Sequence, residues 1–365
     1  MVKNILVVDD SALMRRIICD IINTDNRFKV ADIAKNGAEA FELLLDHKYD
    51  VVICDINMPK MTGLELLERL QKYRIKAKVI MVSTLAKEGA KETILALELG
   101  AFDFVTKPEN FIEAKGNDFK QRLMNTLEVA AMFTIDKKVN EVIRPSFRSL
   151  KSSEPTTQVQ SNVKKSLTRI NTASNKIVAL ACSTGGPKSL QSVIPLLPKD
   201  LNSAVLIVQH MPAGFTNSLA QRLDEMSKVK VKEATEGEVV TIGCVYIAPG
   251  GFHMRVVKEG ANHKIKLTKE EPIGGLRPCA NILYESLTES SYDEIVCVVL
   301  TGMGADGTNG IKKLSNSKPV YVIAQDEKTC VVYGMPKTIA EAGLVDEVVP
   351  LDQVSQTITK NVGVR

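Results

Sequence analysis

Near its start the chain reads Asn4-Ile5-Leu6-Val7-Val8-Asp9-Asp10-Ser11, a short apolar run that ends in two carboxylates. Four more apolar runs follow, at residues 28–33, 49–54, 78–82 and 102–105, and segments with helical periodicity lie between and after them. Continuous apolar strands that alternate with amphipathic helices are typical of a parallel sheet covered on both faces. The first 130 residues therefore predict a doubly wound, flavodoxin-like (βα)5 domain.

Polar side chains stand at the ends of these predicted strands, where a parallel sheet binds its ligands. They are Asp9, Asp10, Asp55, Ser83 and Lys107. Any one acid could simply cap the next helix, but polar residues at four strand ends favour a site. Three converging carboxylates need a cation, and oxygen ligands alone suit Mg²⁺. An Asp beside Mg²⁺ and Lys has the chemistry of an acyl-phosphate acceptor.

A second alternation of apolar runs and helical segments begins after residue 176. Between residues 136 and 176, nine basic residues stand against three acidic ones, with no Gly and few large apolar side chains, which is the composition of a linker. We predict domains at 1–130 and 176–365 with a flexible basic linker at 131–175. Turn signals at 238–248 and 255–268 are typical of hairpins, so the second α/β domain is expected to be Rossmann-like with a hairpin insertion.

The composition excludes several classes of protein. The 365 residues carry 47 basic and 43 acidic side chains, and the linker accounts for the net charge of +4, so nucleic acid binding is not indicated. No apolar run reaches the roughly 18 residues of a membrane span, and no signal peptide is recognisable. The seven Cys form no C-x-x-C pair, which fits a reducing compartment. We expect a cytoplasmic protein that is not inserted in a membrane.

In the second domain, three chemically complementary side chains follow three predicted strands. Ser183 begins the turn Ser183-Thr184-Gly185-Gly186-Pro187, His210 follows the next strand, and Asp306 follows a later one. A nucleophile, a base and an acid at one sheet edge are the division of labour of a serine hydrolase. Each has another explanation, because the turn could bind phosphate and a lone His is more often structural. No Lys stands in the turn, as a P-loop would need, so hydrolase chemistry is favoured.

Other candidates for this chemistry are weaker. Alternation along the strand directs Cys182 away from Ser183 and into the core. His253 and His263 lie in the hairpin region, where we expect structural or substrate-edge roles, and His47 lies at the end of a surface helix.

The first 125 residues resemble the receiver domain of two-component response regulators. The matching segments are Val7-Val8-Asp9-Asp10-Ser11, Cys54-Asp55-Ile56-Asn57-Met58-Pro59, Met81-Val82-Ser83 and Val105-Thr106-Lys107-Pro108. The resemblance implies that a histidine kinase phosphorylates Asp55 and that Asp9, Asp10, Asp55 and the carbonyl oxygen of Asn57 hold Mg²⁺. It also implies that Ser83 and Lys107 sense the phosphate, that Phe104 is the aromatic switch and that Lys107–Pro108 is a cis peptide bond.

The second domain resembles the catalytic domain of the chemotaxis methylesterase family CheB. The matching segments are Ser183-Thr184-Gly185-Gly186, Val208-Gln209-His210-Met211-Pro212, Tyr246-Ile247-Ala248-Pro249-Gly250-Gly251 and Leu300-Thr301-Gly302-Met303-Gly304-Ala305-Asp306-Gly307. The resemblance implies hydrolysis of glutamate γ-methyl esters, and deamidation of particular glutamines, on methyl-accepting chemotaxis receptors. Ser183, His210 and Asp306 would be the triad, with the Met303 N–H in the oxyanion hole, Thr184 beside the nucleophile and no cofactor for the ester chemistry.

Two segments depart from the usual sequence of the family. Ala181-Cys182 replaces Gly-Ala before the nucleophile, and Arg277-Pro278-Cys279-Ala280-Asn281 replaces Arg-Pro-Ser-Val-Asp. Arg277 is kept as a possible substrate-edge residue. We expect the second departure to affect substrate contacts and deamidase activity, and not the triad.

The two resemblances together imply a monomer with two kinds of partner, the receptors as substrate and the histidine kinase as phosphodonor. We expect the unphosphorylated receiver to cover the strand-end face of the hydrolase and phosphorylation to release it. The alternative is a response regulator whose output domain binds a protein or DNA without catalysis.

Overall fold

Two parallel sheets packed with helices organise the chain in this computed structural model, which describes residues 2–84, 86–108, 116–132 and 175–365. Most of the predicted linker, residues 133–174, lies outside the described residues. The α/β class and the two doubly wound domains are confirmed.

The first sheet has five parallel strands in the order β2-β1-β3-β4-β5, which is the flavodoxin-like order. Its strands are β1 (Lys3–Val8), β2 (Phe28–Ala34), β3 (Val51–Asp55), β4 (Val79–Ser83) and β5 (Asp103–Thr106). Its helices are α1 (Ala12–Ile22), α2 (Gly37–Asp46), α3 (Gly63–Lys72), α4 (Lys87–Glu98) and α5 (Asn117–Met132).

Burial and helix caps explain why these segments fold as they do. Every residue of β3 and β4 is buried, as expected for central strands of a covered sheet. Ser11, Asn36 and Thr62 each accept a hydrogen bond from the N–H three residues ahead, at the starts of α1, α2 and α3. Because the five strands are parallel, their carboxyl ends lie along one edge of the sheet.

The second sheet has seven parallel strands in the order β14-β13-β12-β6-β7-β9-β8. The strands of this domain, with the β10–β11 hairpin, are β6 (Lys176–Cys182), β7 (Val205–Gln209), β8 (Lys230–Glu233), β9 (Cys244–Ile247), β10 (His253–Glu259), β11 (Asn262–Thr268), β12 (Glu294–Val299), β13 (Val320–Gln325) and β14 (Glu347–Val349). Its α-helices are α6 (Gly186–Val193), α7 (Phe215–Met226), α8 (Ala280–Ser286), α9 (Thr308–Ser315), α10 (Met335–Glu341) and α11 (Leu351–Val362). None of the helices in the described residues is long and apolar enough to cross a membrane.

Two sequence predictions are wrong. Residues 238–248 do not form a hairpin, because β9 is buried throughout and pairs in parallel with β7 and β8 of the main sheet. Lys107–Pro108 is not cis, since Arg277–Pro278 is the cis peptide bond of the described residues and trans is the lower-energy form for most X-Pro bonds. The hairpin predicted at 255–268 is confirmed by the antiparallel pairing of β10 with β11.

The two domains pack against each other through α4 and β5 of the first and α7 of the second. Ile94 of α4 is buried within the core of the C-terminal domain. Phe104 of β5 stacks on Phe215 of α7, with the ring centroids 4.7 Å apart. Arg222 of α7 donates two hydrogen bonds to the Glu98 carboxylate, of 2.7 and 3.2 Å. Apolar, aromatic and charged contacts thus all contribute to this interface.

Candidate active site and switch

Ser183, His210 and Asp306 follow three neighbouring strands of the second sheet. Ser183 follows β6, which lies between β7, the strand before His210, and β12, the strand before the Asp306 turn. Backbone hydrogen bonds run from the Ser183 N–H to the Thr301 carbonyl (3.0 Å) and from the His210 N–H to the Cys182 carbonyl (3.2 Å). The candidate nucleophile therefore lies on the middle strand, with the base on one side and the acid on the other.

His210 and Asp306 form a buried pair. The His210 Nε2 lies 2.7 Å from the Asp306 Oδ2, and their side chains are only 8% and 4% exposed. The His210 Nδ1 is buried and has no hydrogen-bond partner within the described parts of the chain, Ser183 included. Because Nε2 is held by Asp306, Nδ1 is the ring nitrogen that can accept a proton from the nucleophile. The hydrogen bond between a nucleophile and its base is often long in an enzyme without substrate, and it shortens when substrate binds.

Asp306 is held by several donors besides His210. These are the N–H groups of Ala280 (2.6 Å), Asn281 (2.9 Å) and Gly307 (2.9 Å) and the Cys279 Sγ (3.1 Å). Burial alone raises the pKa of this carboxyl, but the hydrogen bond and the charge of His210, with the N–H donors, outweigh burial and lower the pKa to about 2. Asp306 is therefore ionised at neutral pH and can stabilise an imidazolium.

Glycines let the turn after β12 approach the nucleophile. A Cβ on Gly302 would lie 2.8 Å from the Ser183 Cβ, so a larger residue does not fit there. Gly304 has a φ of 85°, a conformation that favours glycine. Met303 lies between them and is 50% exposed. Because Gly302 lies against Ser183, the N–H of Met303, the residue that follows it, is a candidate donor to a developing oxyanion.

Arg277 supports the loop that precedes α8. Its Nη1 donates to the carbonyl oxygens of Lys269 (3.3 Å) and Glu270 (3.0 Å). Its Nε is buried and lacks a hydrogen-bond partner among the described residues. A substrate-edge role for Arg277 stays a prediction.

Asp9, Asp10 and Asp55 gather at the ends of β1 and β3. Their carboxylate oxygens lie within 4.8 Å of one another. The Lys107 Nζ lies 2.9 Å from the Asp9 Oδ2 and 2.8 Å from the Asp55 Oδ2. Burial raises the pKa of Asp55, the Lys107 ammonium group lowers it, and the negative charge of Asp9 raises it again. The net result is a pKa of about 6. Three acids beside one ammonium group leave negative charge in excess, which fits a divalent cation with oxygen ligands such as Mg²⁺.

The remaining receiver residues connect this cluster to α4 and to the C-terminal domain. The Ser83 hydroxyl lies 2.7 Å from the Thr93 Oγ1 on α4, and the Asn57 Nδ2 donates to Glu92 of the same helix (2.8 Å). Phe104, at the predicted switch position, stacks on Phe215 of the C-terminal domain. Ser83 and Phe104 are thus engaged away from Asp55.

Comparison with known proteins assigns both halves of the chain. A family model described as CheB methylesterase matches residues 178–358, and one described as response regulator receiver domain matches residues 5–115. The chain belongs to the CheB methylesterase family. A relative from Syntrophomonas wolfei, named protein-glutamate methylesterase/protein-glutamine glutaminase 1, is 42% identical over 98% of each chain. A Bacillus subtilis relative, with the same name but for the numeral, is 40% identical over 97% of each chain.

A solved structure supports the fold of the second half. The crystal structure of the Thermotoga maritima CheB methylesterase catalytic domain has 43% sequence identity with this chain and a TM-score of 0.50. The match covers 51% of this chain and 98% of that domain. The seven-stranded domain is therefore the CheB catalytic domain, and the five-stranded domain ahead of it is the receiver.

Several residues that support this site were not predicted from the sequence to do so. Cys279 and the Asn281 N–H donate to Asp306, and the Asn281 Oδ1 accepts hydrogen bonds from the N–H groups of Gly307 (3.1 Å) and Gly310 (2.7 Å). Contrary to the expectation that the departure at 279–281 concerns substrate contacts and not the triad, this segment contacts Asp306, because Cys279 caps α8 and Ala280 and Asn281 are its first residues. The pair of His210 and Asp306 is nevertheless intact. The departure from the usual family sequence at 279–281 is the feature of the sequence that could have pointed to these contacts.

The other histidines are held by structural contacts. The His253 Nε2 lies 3.2 Å from the Glu271 carbonyl oxygen. His263 accepts a hydrogen bond from the Ser291 N–H and stacks on Tyr292, and His47 follows the last residue of α2. These contacts leave His210 as the histidine placed beside Ser183.

Proposed function

We propose that this chain is a phosphorylation-activated methylesterase that hydrolyses glutamate γ-methyl esters on methyl-accepting chemotaxis receptors, and deamidates particular glutamines there, during sensory adaptation. The observation that carries the proposal is the buried 2.7 Å pair of His210 and Asp306 beside Ser183, in a member of the CheB methylesterase family. The chain works as a cytoplasmic monomer, and its free cysteines fit a reducing compartment.

Ser183, His210 and Asp306 carry out the ester chemistry without a cofactor. Ser183 Oγ attacks the ester carbonyl carbon while its proton passes to the His210 Nδ1, and Asp306 stabilises the imidazolium. The Met303 N–H stabilises the oxyanion, Thr184 and Arg277 border the substrate, and methanol leaves with the proton from His210. Water, deprotonated by His210, then releases the glutamate carboxylate and restores Ser183. In deamidation ammonia leaves in place of methanol.

Asp55 is the phosphorylation site of the receiver. A chemotaxis histidine kinase supplies the phosphoryl group, and Lys107 contacts the phosphoryl oxygens. Mg²⁺ would be held by Asp9, Asp10, Asp55 and the Asn57 carbonyl oxygen, and it supplies positive charge that offsets the repulsion between these acids and the phosphoryl group.

The unphosphorylated receiver inhibits the hydrolase by lying over its strand ends. Two contacts support this: the Asp103 carboxylate of the receiver lies near the Thr184 hydroxyl, which lowers its pKa against the effect of burial, and Phe104 stacks on Phe215. Phosphorylation draws Ser83 from Thr93 toward the phosphoryl group, and the resulting shift of α4 and Phe104 loosens the interface.

Methanol release from a methylated receptor fragment, measured with and without a small acyl phosphate as phosphodonor, tests the proposal. We expect release from the wild type that rises with the phosphodonor, and none from Ser183→Ala. Ser192→Ala, an exposed position on α6, is the matched control and keeps the wild-type rate. Receptor binding without methanol release by the wild type would favour a non-catalytic protein-binding output domain. An unchanged basal rate after removal of residues 1–135 would contradict autoinhibition.

A further inference from the structure

Gln209, the last residue of β7, has a buried side-chain amide that touches both the nucleophile and the base segments. Its Nε2 donates to the Ser183 carbonyl oxygen (3.0 Å) and to the His210 carbonyl oxygen (3.3 Å). The residue is only 1% exposed. Burial of a primary amide is unfavourable unless its hydrogen bonds are made, so these two bonds fix the place of the amide between the two strand ends.

The other end of the amide is held by Cys182. The Cys182 Sγ donates to the Gln209 Oε1 at 3.0 Å. Carbonyl oxygens only accept hydrogen bonds, so the NH₂ group must face Ser183 and His210, and the amide oxygen must face the thiol. Burial raises the pKa of the Cys182 thiol, which therefore stays protonated and able to donate.

The backbone at the start of α6 leaves room for this amide. A Cβ on Gly186, at the start of α6, would lie 2.0 Å from the Gln209 Oε1. Cys182 and Gln209 are register partners on β6 and β7, and the His210 N–H bonds to the Cys182 carbonyl across the same strand ends. The amide thus extends the β6–β7 hydrogen bonding beyond the last residues of the two strands.

We infer that Gln209 is a positioning residue that fixes the distance between Ser183 and His210, with Cys182 fixing the orientation of its amide. Ser183 and His210 each lie just past a strand end, where the sheet no longer restrains them, and small misplacements of reacting groups cost large factors in rate. The inference rests on the proposed Ser-His-Asp chemistry. The thiol departs from the family's usual residue at position 182, an Ala, which offers no donor.

Gln209→Met keeps the length of the side chain and removes both polar ends. In the full-length protein with phosphodonor, we expect kcat for methanol release to fall about 10- to 100-fold with KM changed less than about twofold. Gln191→Met on α6 is the matched control and stays at the wild-type kcat. Wild-type kcat in a folded Gln209→Met protein would overturn the inference.

Gln209→Glu should change the pH dependence of kcat, which a purely structural role of Gln209 would leave unchanged. The protonated carboxyl can still donate to one of the two carbonyl oxygens, whereas the carboxylate faces both with like partial charge. We expect the alkaline side of the kcat profile to move to lower pH than in the wild type. An unshifted profile with a uniformly lowered rate would contradict positioning by this amide.

Cys182 variants keep the inference testable if the Gln209 variants do not fold. Cys182→Ala removes the donor and should lower kcat a few-fold, and Cys182→Ser should restore it; equal rates for both variants would contradict the orienting role. The rate at which a fluorophosphonate labels Ser183 separates this inference from the proposed function. If the wild type is labelled but releases no methanol, the proposed substrate is wrong, and slower labelling of Gln209→Met still supports the positioning role.

Discussion

The Asp103 carboxylate of the receiver faces the hydroxyl of Thr184, the residue that follows the candidate nucleophile, and this hydroxyl partly offsets the effect of burial on the Asp103 pKa. Phe104, next along β5, stacks on Phe215 of the catalytic domain. Two consecutive receiver residues therefore contact the hydrolase, one of them beside Ser183. Because Phe104 is the predicted switch position, a movement of its ring would alter the interface directly.

Loss of the Phe104–Phe215 stack should raise the basal activity. An aromatic pair contributes about 0.5–1.5 kcal/mol beyond area burial, so Phe104→Ala or Phe215→Ala should increase methanol release without phosphodonor about two- to tenfold. The double variant should gain less than the product of the two, since both remove the same contact. Phe41→Ala controls for general loosening of the receiver. Phe41 is a receiver core residue on α2, which packs against β2, and β2 and β5 lie at opposite edges of the sheet. Basal rates that stay at the wild-type level would contradict an inhibitory stack.

The charges of Arg222 and Glu98, which pair between the domains, should be exchangeable without loss of the interdomain contact. Their side chains are 38% and 28% exposed, so the pair contributes no more than about 1 kcal/mol. Arg222→Glu should raise the basal rate about two- to fivefold because like charges then meet. The swap Arg222→Glu with Glu98→Arg should return the rate toward that of the wild type. A swap no slower than the single variant would show that this pair does not hold the domains together.

Closure of the domains should weaken as pH rises through about 6. Burial raises the pKa of Asp103 from 3.8 to about 6, although the nearby Thr184 hydroxyl opposes this. The closed state therefore binds the proton more tightly than an open state with an ordinary carboxyl, so protonation favours closure below about pH 4, and this contribution is lost by about pH 6. Energy transfer between dyes on the two domains should fall over this range in the wild type. In Asp103→Asn the transfer should stay high, and an identical pH dependence there would exclude Asp103 as the cause.

Strand ends were predictable from the sequence, whereas contacts between distant segments were not. Each apolar run that stops at a polar residue is visible locally, so Asp55, Ser183 and His210 could be placed at sheet edges. The position of β9 could not be predicted from the sequence, because the packing of the whole sheet determines that β7 and β8 are its parallel neighbours. In addition, the glycines near β9 resemble those of hairpin turns. Thr93 and Phe215 were missed for the same reason, since each acts on a residue in another element.

Chelation of Mg²⁺ should separate the switch from the ester chemistry. Asp9, Asp10 and Asp55 together repel an incoming phosphoryl group, and the single charge of Lys107 does not neutralise them. A chelator should therefore abolish the increase caused by the acyl phosphate and leave the basal rate within about twofold. Asp55→Asn should show the same basal rate with no response to the donor. A basal rate that falls on chelation would place a metal ion in the ester chemistry.

Cys279 should tune the acid of the triad. Its thiol lies 3.1 Å from the Asp306 Oδ1 and is 1% exposed, and the family usually has Ser at this position. Hydrogen bonds to a charged group stabilise it by about 1.5–3 kcal/mol, and a thiol is a weaker donor than a hydroxyl. Cys279→Ala should therefore raise the pKa of Asp306 and lower kcat/KM a few-fold, while Cys279→Ser should equal or exceed the wild type. Cys297→Ala, at a buried position within β12, controls for loss of a buried thiol. If Cys279→Ser were as slow as Cys279→Ala, packing of the sulfur and not its hydrogen bond would account for the loss, because the hydroxyl supplies the donor but not the volume.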